Sequence, residues 1–401
     1  MLQTVVTYRY RLLPTRAQHG ALANILDAQR ILYNAALEER LAAWRCKDPI
    51  SGKGVSPPHI DQCAALTQCR AELPEMQALP VNVQRGTLRR VHRACESFFA
   101  RVKKGGAKGF PRFKVRDRFQ SFAFAEFRGI RFDQDARRLW FKGLPGSLRV
   151  HMHRAMPTGK ILSAIFKRDA KGWHVSLAMN GHCAAQRYPK RCCVGVDVGL
   201  ESFARLSDGL TIPAPRLARK AERAMRLAQR ALARAKRGSQ RRRKTKERLA
   251  RLHAKIARAR QTFLHQASAR LIAEHDLIAV EDLSIRNMTA SAAGTMEAPG
   301  TRVQQKSGLN RSILDAAWGK FLQFLDYKAA KAGVTFIRVD AKGTSQQCSG
   351  CGAIVAKTLA DRMHRCTCGT VLHRDHNAAL NILHRAVVDP AIGNVARSGE
   401  R

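Results

Sequence analysis

An aspartate lies inside an apolar run, Cys193-Val194-Gly195-Val196-Asp197-Val198-Gly199. A strand that is apolar on both faces is covered on both faces, so it reads as an interior strand of a layered α/β domain. A carboxylate there is costly unless something cationic neutralises it. The run is followed by FARLS, the turn residues Asp208 and Gly209 and a third short run, which together predict a three-strand meander. Glu281 repeats the pattern at the end of Leu277-Ile278-Ala279-Val280, and Asp375 opens a terminal helix in HRDHNAALNIL. Taken singly, Asp197 and Glu281 read equally as arginine partners and Asp375 as a helix-start residue.

A second constraint is the run CSGC at Cys348 and Cys351, followed after fourteen residues by CTC at Cys366 and Cys368, with Gly352 and Gly369 directly after the pairs. Two such knuckles supply four thiolates to a tetrahedral zinc ion, and a closed set of four ligands makes that ion structural. The second pair is C-x-C where zinc ribbons normally have C-x-x-C. The second knuckle is therefore tighter, or His364 or His373 helps. Cys46, Cys63, Cys69, Cys95, Cys183, Cys192 and Cys193 have no such arrangement and are assigned nothing, since lone cysteines are more often small hydrophobes than ligands. No phosphate-cradling G-x-x-x-x-G-K-S/T loop is present, so ATP hydrolysis has no support.

The sign of the charge points to the partner. Lys and Arg number 72 against 30 Asp and Glu, a formal net charge of +42, which calls for a polyanion. Residues 216–260 hold nineteen Lys or Arg and two acids around sparse apolar points, with Gly238 and Ser239 midway, and read as a basic helical hairpin facing phosphates. Arg241, Arg242, Arg243 and Lys244 are its candidate contacts. Lys103, Lys104, Lys108, Arg112 and Lys114 form a second basic stretch, in which Phe110 and Phe113 read either as base-stacking or as core residues. The amino end shows no export signal and no run is long enough to span a membrane, so the expected location is the cytoplasm, at the nucleoid, with no membrane partner. Eleven cysteines, an odd number, then argue for thiols over disulfides.

Periodicity divides the chain. Residues 1–14 alternate as a strand, with Tyr8, Tyr10 and Leu12 on one side. Residues 15–104 are mostly helical, starting from a capping box at Thr15 and Gln18. Residues 105–189 carry short runs (SFAFAEF, IRF, RLWF, ILSAIF, WHVSLAM) with the spacing of a small antiparallel sheet or barrel. A new domain begins at about residue 190.

An acid on the first strand of a meander, one at the end of the fourth strand and one on the last helix is the order of a ribonuclease-H-like nuclease, whose carboxylates hold two divalent ions for in-line attack on a phosphodiester. Magnesium suits such oxygen ligands. The segments GVDVGLESFA, IAVEDLSIRNM, KSGLNRSILDAAWGKFLQFLDYKA, TSQQCSGCG and HRDHNAALNIL, with YRYRLLPTRAQ, Tyr33-Asn34 and GFPRFK earlier, resemble the transposon-encoded TnpB (OrfB) family, RNA-guided nucleases related to type V CRISPR effectors. The resemblance covers nearly the whole chain. It implies a multidomain α/β protein: a first wedge-barrel strand over 1–14, a helical recognition lobe over 15–104 and a small wedge β-barrel over 105–189. A ribonuclease-H-like (RuvC) domain over 190–344 would follow, then an inserted zinc ribbon over 345–372, the last RuvC helix over 373–390 and a flexible tail over 391–401.

The same resemblance implies that Asp197, Glu281 and Asp375 are catalytic and hold magnesium, that a guide RNA from the transposon end pairs with target DNA, and that a transposase encoded on the same element is a companion. The family usually has Asp where His373 stands. Three other readings remain open at this point: a non-cleaving guided repressor, a zinc-ribbon DNA-binding regulator with structural acids, and a conventional DNA transposase.

Overall fold

The opening alternation forms β1 (Thr4–Leu13), which buries Tyr8, Tyr10 and Leu12 and exposes the residues between them. In the computed structural model, residues 4–46, 56–105, 109–157, 159–181, 193–358 and 361–388 are described. The chain divides into two compact units, Met1–His182 and Cys183–Arg401.

In the first unit, Pro14 ends β1 and the capping box starts α1 (Arg16–Arg45). The Gln18 amide donates to Thr15 Oγ1 at 3.3 Å, and the Thr15 amide donates to Gln18 Oε1 at 3.1 Å. Leu22, Ile25, Leu26, Tyr33 and Leu37 recur at helical spacing and are buried. The helices α2 (His59–Glu72), α3 (Pro74–Gln77) and α4 (Val81–Lys103) follow.

The sheet of this unit is antiparallel throughout, in the order β2-β6-β7-β1-β5-β4-β3. Its later strands are β2 (Ser121–Phe124), β3 (Ile130–Asp133), β4 (Arg138–Phe141), β5 (Leu148–His151), β6 (Ile161–Asp169) and β7 (Gly172–Gly181). The sequence reading did not name β5, whose four residues carry one short alternation. The strands form an open half-barrel and not a closed barrel: β2 and β3 are its ends, each with one neighbour. Rings close the interior where hydrogen bonds do not. Phe124 on β2 meets Phe141 on β4 at 5.3 Å between centroids, although they lie near opposite ends of the ladder.

In the second unit, β8 (Cys193–Val198), β9 (Ser202–Leu206) and β10 (Thr211–Pro213) form the meander. The parallel strands β11 (Leu277–Glu281) and β12 (Thr335–Val339) complete the order β10-β9-β8-β11-β12. Helices α5 (Leu217–Arg234) and α6 (Gln240–Glu274) form the basic hairpin, whose second helix runs past the expected residue 260. Then come α7 (Ile285–Met288), α8 (Val303–Ala316) and α9 (Trp318–Ala332). The chain continues into the ladder of β13 (Met363–Arg365) with β14 (Val371–His373), and α10 (Arg374–Val388) is the last described element. The expected tail, 391–401, lies outside the described residues.

Alternate strand residues face opposite sides of this sheet. Val194, Val196, Ile278 and Val280 pack with Leu264 and Leu271 of α6 and Phe321 and Leu325 of α9. Ala279, Ile337 and Val339 pack with Ile382 and Ala386 of α10 on the other side. Gly195 belongs to that second side: a Cβ on it would run into the Ala379 carbonyl oxygen, so α10 lies directly on the β8 backbone. The same parity puts Asp197 and Glu281 on the α10 side.

Candidate active site and metal cluster

Parallel pairing aligns the exit ends of β8 and β11. Val196 is opposite Val280, and one step further along each strand stand Asp197 and Glu281. Asp375 comes to them on the first turn of α10. Asp197 keeps a path to solvent at its strand end. Even so, burial pushes its carboxyl well above the usual carboxylate range, the charges of Glu281 and Asp375 push further, and Arg374 opposes them. Burial raises Glu281 as well, against the Thr344 hydroxyl, which donates to its Oε1 at 2.5 Å, and against Arg385. Asp197 thus lies under the charge of both other acids predicted from sequence, with Arg374 acting on it and Arg385 on Glu281. A divalent cation supplies the charge that an all-oxygen set of this kind lacks, so these residues fit magnesium.

Sequence reasoning missed the groups that hold these acids. Thr344 donates to Glu281 while its own carbonyl accepts from Asn381 Nδ2 of α10 at 2.8 Å. Asn381 also donates to the Gln347 carbonyl at 2.6 Å, Asn377 Nδ2 donates there at 2.7 Å, and the Ser349 amide donates to Asn377 Oδ1 at 3.0 Å. The helix carrying Asp375 is therefore pinned to the base of the cysteine-rich insert. The signal was present in HRDHNAALNIL, where two buried asparagines sit four residues apart.

The sulfurs of Cys348, Cys351, Cys366 and Cys368 lie within 4.8 Å of one another. Cys348 and Cys368 are 3.7 Å apart and Cys351 and Cys366 are 3.6 Å apart. Four thiolates around zinc at its usual bond length stand about 3.8 Å apart, so the set fits that ion. Gly352 and Gly369 take φ of 78° and 89°, which lets each knuckle turn back. Burial works against ionisation of Cys348, but the Cys351 and Gly350 amides, His364 and Thr370 hold its thiol down to about 5. Cys351, despite the Ala353 amide, is pushed up to about 12 by Cys368, Cys366 and Cys348. The C-x-C pair thus reaches the cluster as cysteine. His364 backs Cys348 and, among the described residues, joins no ligand group, and His373 lies elsewhere.

His373 belongs with the acids: its ring, Asp375 and Glu201 offer ligand atoms within 4.8 Å of one another. They border a cleft of about 340 Å³, shared with Arg205 and Arg216.

The proposed nucleic-acid contacts separate. Arg241, Arg243 and Lys244 are exposed on α6. Arg242 is used inside the hairpin, donating to the Leu232 and Ala235 carbonyls at 2.6 and 3.1 Å, where it closes the end of α5. Lys103 ends α4 and does not belong to a loop; Lys104 and Arg112 are exposed, and Lys108 lies outside the described residues. Asn34 clasps the backbone of Lys114 from both sides, at 2.8 and 3.1 Å, and the Lys114 ammonium sits over the Tyr33 ring. Phe110 packs edge-on against Phe98, whereas Phe113 is 50% exposed, so only the second is free to stack.

The meander with two parallel strands and the cysteine cluster before the last helix define a mixed α/β protein with a cysteine-rich insert. Residues 184–292 match the family described as a probable transposase, OrfB of IS605 type, and residues 318–382 match the Cas12f1-like TNB domain. Residues 1–48 match a domain described as helix-turn-helix, although the described part of that stretch is a strand and one helix.

A putative RNA-guided DNA endonuclease of Streptomyces pristinaespiralis is 31% identical over 99% of this chain and 93% of its own. The putative RNA-guided DNA endonuclease InsQ of Escherichia coli K12 is 28% identical over 99% of this chain and 96% of its own. A Cas12f1 chain solved with its sgRNA and target DNA shares the fold, with a TM-score of 0.57 at 14% identity over 94% of this chain and 83% of that one. The chain belongs to the transposon-encoded TnpB (OrfB) family, which is related to the type V effectors.

Proposed function

We propose that this chain is an RNA-guided DNA endonuclease of a transposable element, cutting DNA by metal-dependent hydrolysis at a ribonuclease-H-like (RuvC) site. The observation that carries this reading is the pair Asp197 and Glu281, side by side at the exits of parallel strands, with Asp375 in electrostatic reach. Relatives named as RNA-guided DNA endonucleases over nearly the full length support it.

Asp197, Glu281 and Asp375 would hold magnesium, which when bound activates water and stabilises the leaving oxygen. The rest belongs to the chain. Asp197 gives up its proton to become a ligand, and its raised affinity for that proton makes loading favour neutral over acid pH. Thr344 orients the Glu281 carboxylate, and α10, seated on Gly195, fixes Asp375 against the sheet. Cys348, Cys351, Cys366 and Cys368 would hold a structural zinc, leaving no position for substrate.

In this reading a guide RNA from the transposon end supplies sequence by pairing with target DNA, which explains +42 of charge without a dedicated base-reading helix. Arg241, Arg243 and Lys244, with Lys103, Lys104, Lys108 and Arg112, carry the phosphate contacts. Their sum gives strong salt dependence, roughly 0.9 in log-log slope per phosphate neutralised. Residues 1–182 form the recognition lobe and wedge, the protein works in the cytoplasm at the nucleoid, and a transposase of the same element accompanies it. No helix among the described residues is long and apolar enough to cross a membrane.

The test is to purify the protein from cells carrying its native locus, sequence the RNA that co-purifies, and assay cleavage of matching DNA with magnesium beside Asp197→Ala. Cutting lost in the variant with RNA retained supports the reading. A defined RNA with guided binding and no cutting by the wild type indicates a silent guided repressor. No defined RNA indicates a plain DNA-binding regulator, and joined strands in place of cut ends indicate a transposase.

A further inference from the structure

Arg205 stands where Asp197 would find a counter-ion and does not act as one. The two residues are directly opposite in the antiparallel pairing of β8 with β9, so both side chains leave the same face of the sheet. A guanidinium in that position would ordinarily pair with the acid and offset part of the cost of burying it. The cation that acts on Asp197 is instead Arg374 of α10, and no carboxylate among the described residues pairs with Arg205. Its Nε is buried without a hydrogen-bond partner. A buried donor left open is costly, and each such group in a fold calls for a reason.

The cleft of about 340 Å³ supplies one. Arg205 borders it from β9, Thr211 from the opposite position on β10, Arg216 from the turn before α5, and Asp375 from α10. Arg216 is exposed, and its guanidinium reaches the Glu201 carbonyl only at 3.5 Å, the outer limit of a hydrogen bond. The carboxylates of the cleft face other cations: Glu201 lies 3.7 Å from Arg362 and Asp375 lies 3.9 Å from Arg374. Two guanidinium groups therefore front one concavity without an acid of their own. Their planar forks match the oxygens of a phosphate, which is the anion a chain of charge +42 meets most often on a polyanionic partner.

We infer that Arg205 and Arg216 clamp a backbone phosphate of the DNA strand to be cut, holding it in the cleft beside Asp375. The inference rests on the nuclease reading above and adds to it two residues that touch the substrate. Arg205 lies outside both basic stretches of the sequence, so charge runs do not reveal it. Its pairing register with Asp197 does.

The experiment uses the full-length protein with its co-purified RNA and matching DNA in which one linkage at a time, across the mapped cut, is a neutral methylphosphonate. Magnesium is added after the DNA has bound, and the single-turnover rate is read. Wild type loses at least about tenfold at one linkage, the size of a charge-assisted hydrogen bond. Arg205→Gln and Arg216→Gln each slow the cutting of unmodified DNA and shrink the loss at that linkage, and the double variant abolishes it. Other linkages keep their wild-type sensitivity, which a general loss of structure would not produce. Arg216 is exposed on a turn, so its variant carries the test even where Arg205→Gln, on an interior strand, melts early. A loss at that linkage as large in the variants as in wild type overturns the inference, and so does a wild type indifferent to every linkage. The nuclease reading stands in both cases as long as Asp197→Ala abolishes cutting. If Asp197→Ala cuts as wild type does, or wild type does not cut, the nuclease reading falls and the clamp falls with it.

Discussion

The half-barrel of the first unit and the five-stranded sheet of the second follow one rule of alternation and fill their interiors differently. Phe122, Phe124, Phe141, Phe166 and Trp173 occupy the first. In the second, the inward parity that delivers Gly195 and Ala279 to α10 also delivers Asp197 and Glu281. The half-barrel is thus filled by rings that pack on one another. The second sheet carries two acids at positions where apolar residues would be more stable, and such a departure from local consistency marks a functional site.

The largest test of that contrast is activity. Asp197→Ala should lower cleavage by at least about a hundredfold, the scale for losing one charge-stabilising group, while leaving the metal-free protein as stable as wild type or more so. Rate assays and thermal melts in chelator check both halves. A variant that is active, or one that melts far below wild type, would make Asp197 a structural residue like those of the half-barrel.

Next in size is the seat of α10. A methyl group at Gly195 meets the Ala379 carbonyl and the Leu383 amide, so Gly195→Ala should destabilise the protein by about 1–3 kcal/mol, the range for overpacking. Because the helix that must move carries Asp375, cleavage should fall with it. Urea titration and the cleavage rate of the still-folded protein are the measurements. A neutral result would mean that α10 lies further from β8 than this packing requires.

The pH dependence comes third. Asp197 has a folded pKa raised above its unfolded value, chiefly by burial. The neutral form is thus the one the fold prefers: its contribution is complete below the ordinary carboxylate range and is lost as pH rises through the raised folded value. The slope reaches at most about 1.4 kcal/mol per pH unit for one group. In chelator, wild type should lose stability relative to Asp197→Asn as pH climbs from about 4 to neutrality. Saturating magnesium should close that gap at neutral pH, because binding to the folded state alone stabilises it. Parallel melting curves at all pH values would show that Asp197 is not perturbed.

Much of this contrast was legible in the sequence. CVGVDVGL gave a strand covered on both sides with an acid in it, and the knuckle spacing gave four cysteines that do converge. What stayed hidden depended on three-dimensional neighbours. Nothing in a one-dimensional run of nineteen basic residues says that Arg242 folds back on the end of α5 while Arg241 and Arg243 face outward. His373 looked like a spare ligand for a short second knuckle, because it lies close in sequence to Cys368. The β13–β14 hairpin carries it instead to Asp375 and to Glu201, 172 residues away in numbering. The half-barrel's open edge was equally illegible, since short strand runs do not record which ends pair.

The smallest effect tests whether the second sheet tolerates its acids through individual hydrogen bonds. Thr344 is buried, donates to Glu281 and accepts from Asn381, so it links the β11 acid to the helix that bears Asp375. Thr344→Val keeps the shape and removes the donor, and a hydrogen bond of this kind is worth about 1 kcal/mol net, or roughly a fivefold loss of cleavage rate. Thr344→Ser restores the hydroxyl and should recover most of that loss. A structural role alone would move stability in both variants and leave their rates alike, because Val and Ser differ from Thr in opposite ways: one loses the oxygen, the other a methyl group. Rates that follow the oxygen would make Thr344 a positioning residue for Glu281; rates that follow the methyl group would make it another piece of packing, of the kind that fills the half-barrel.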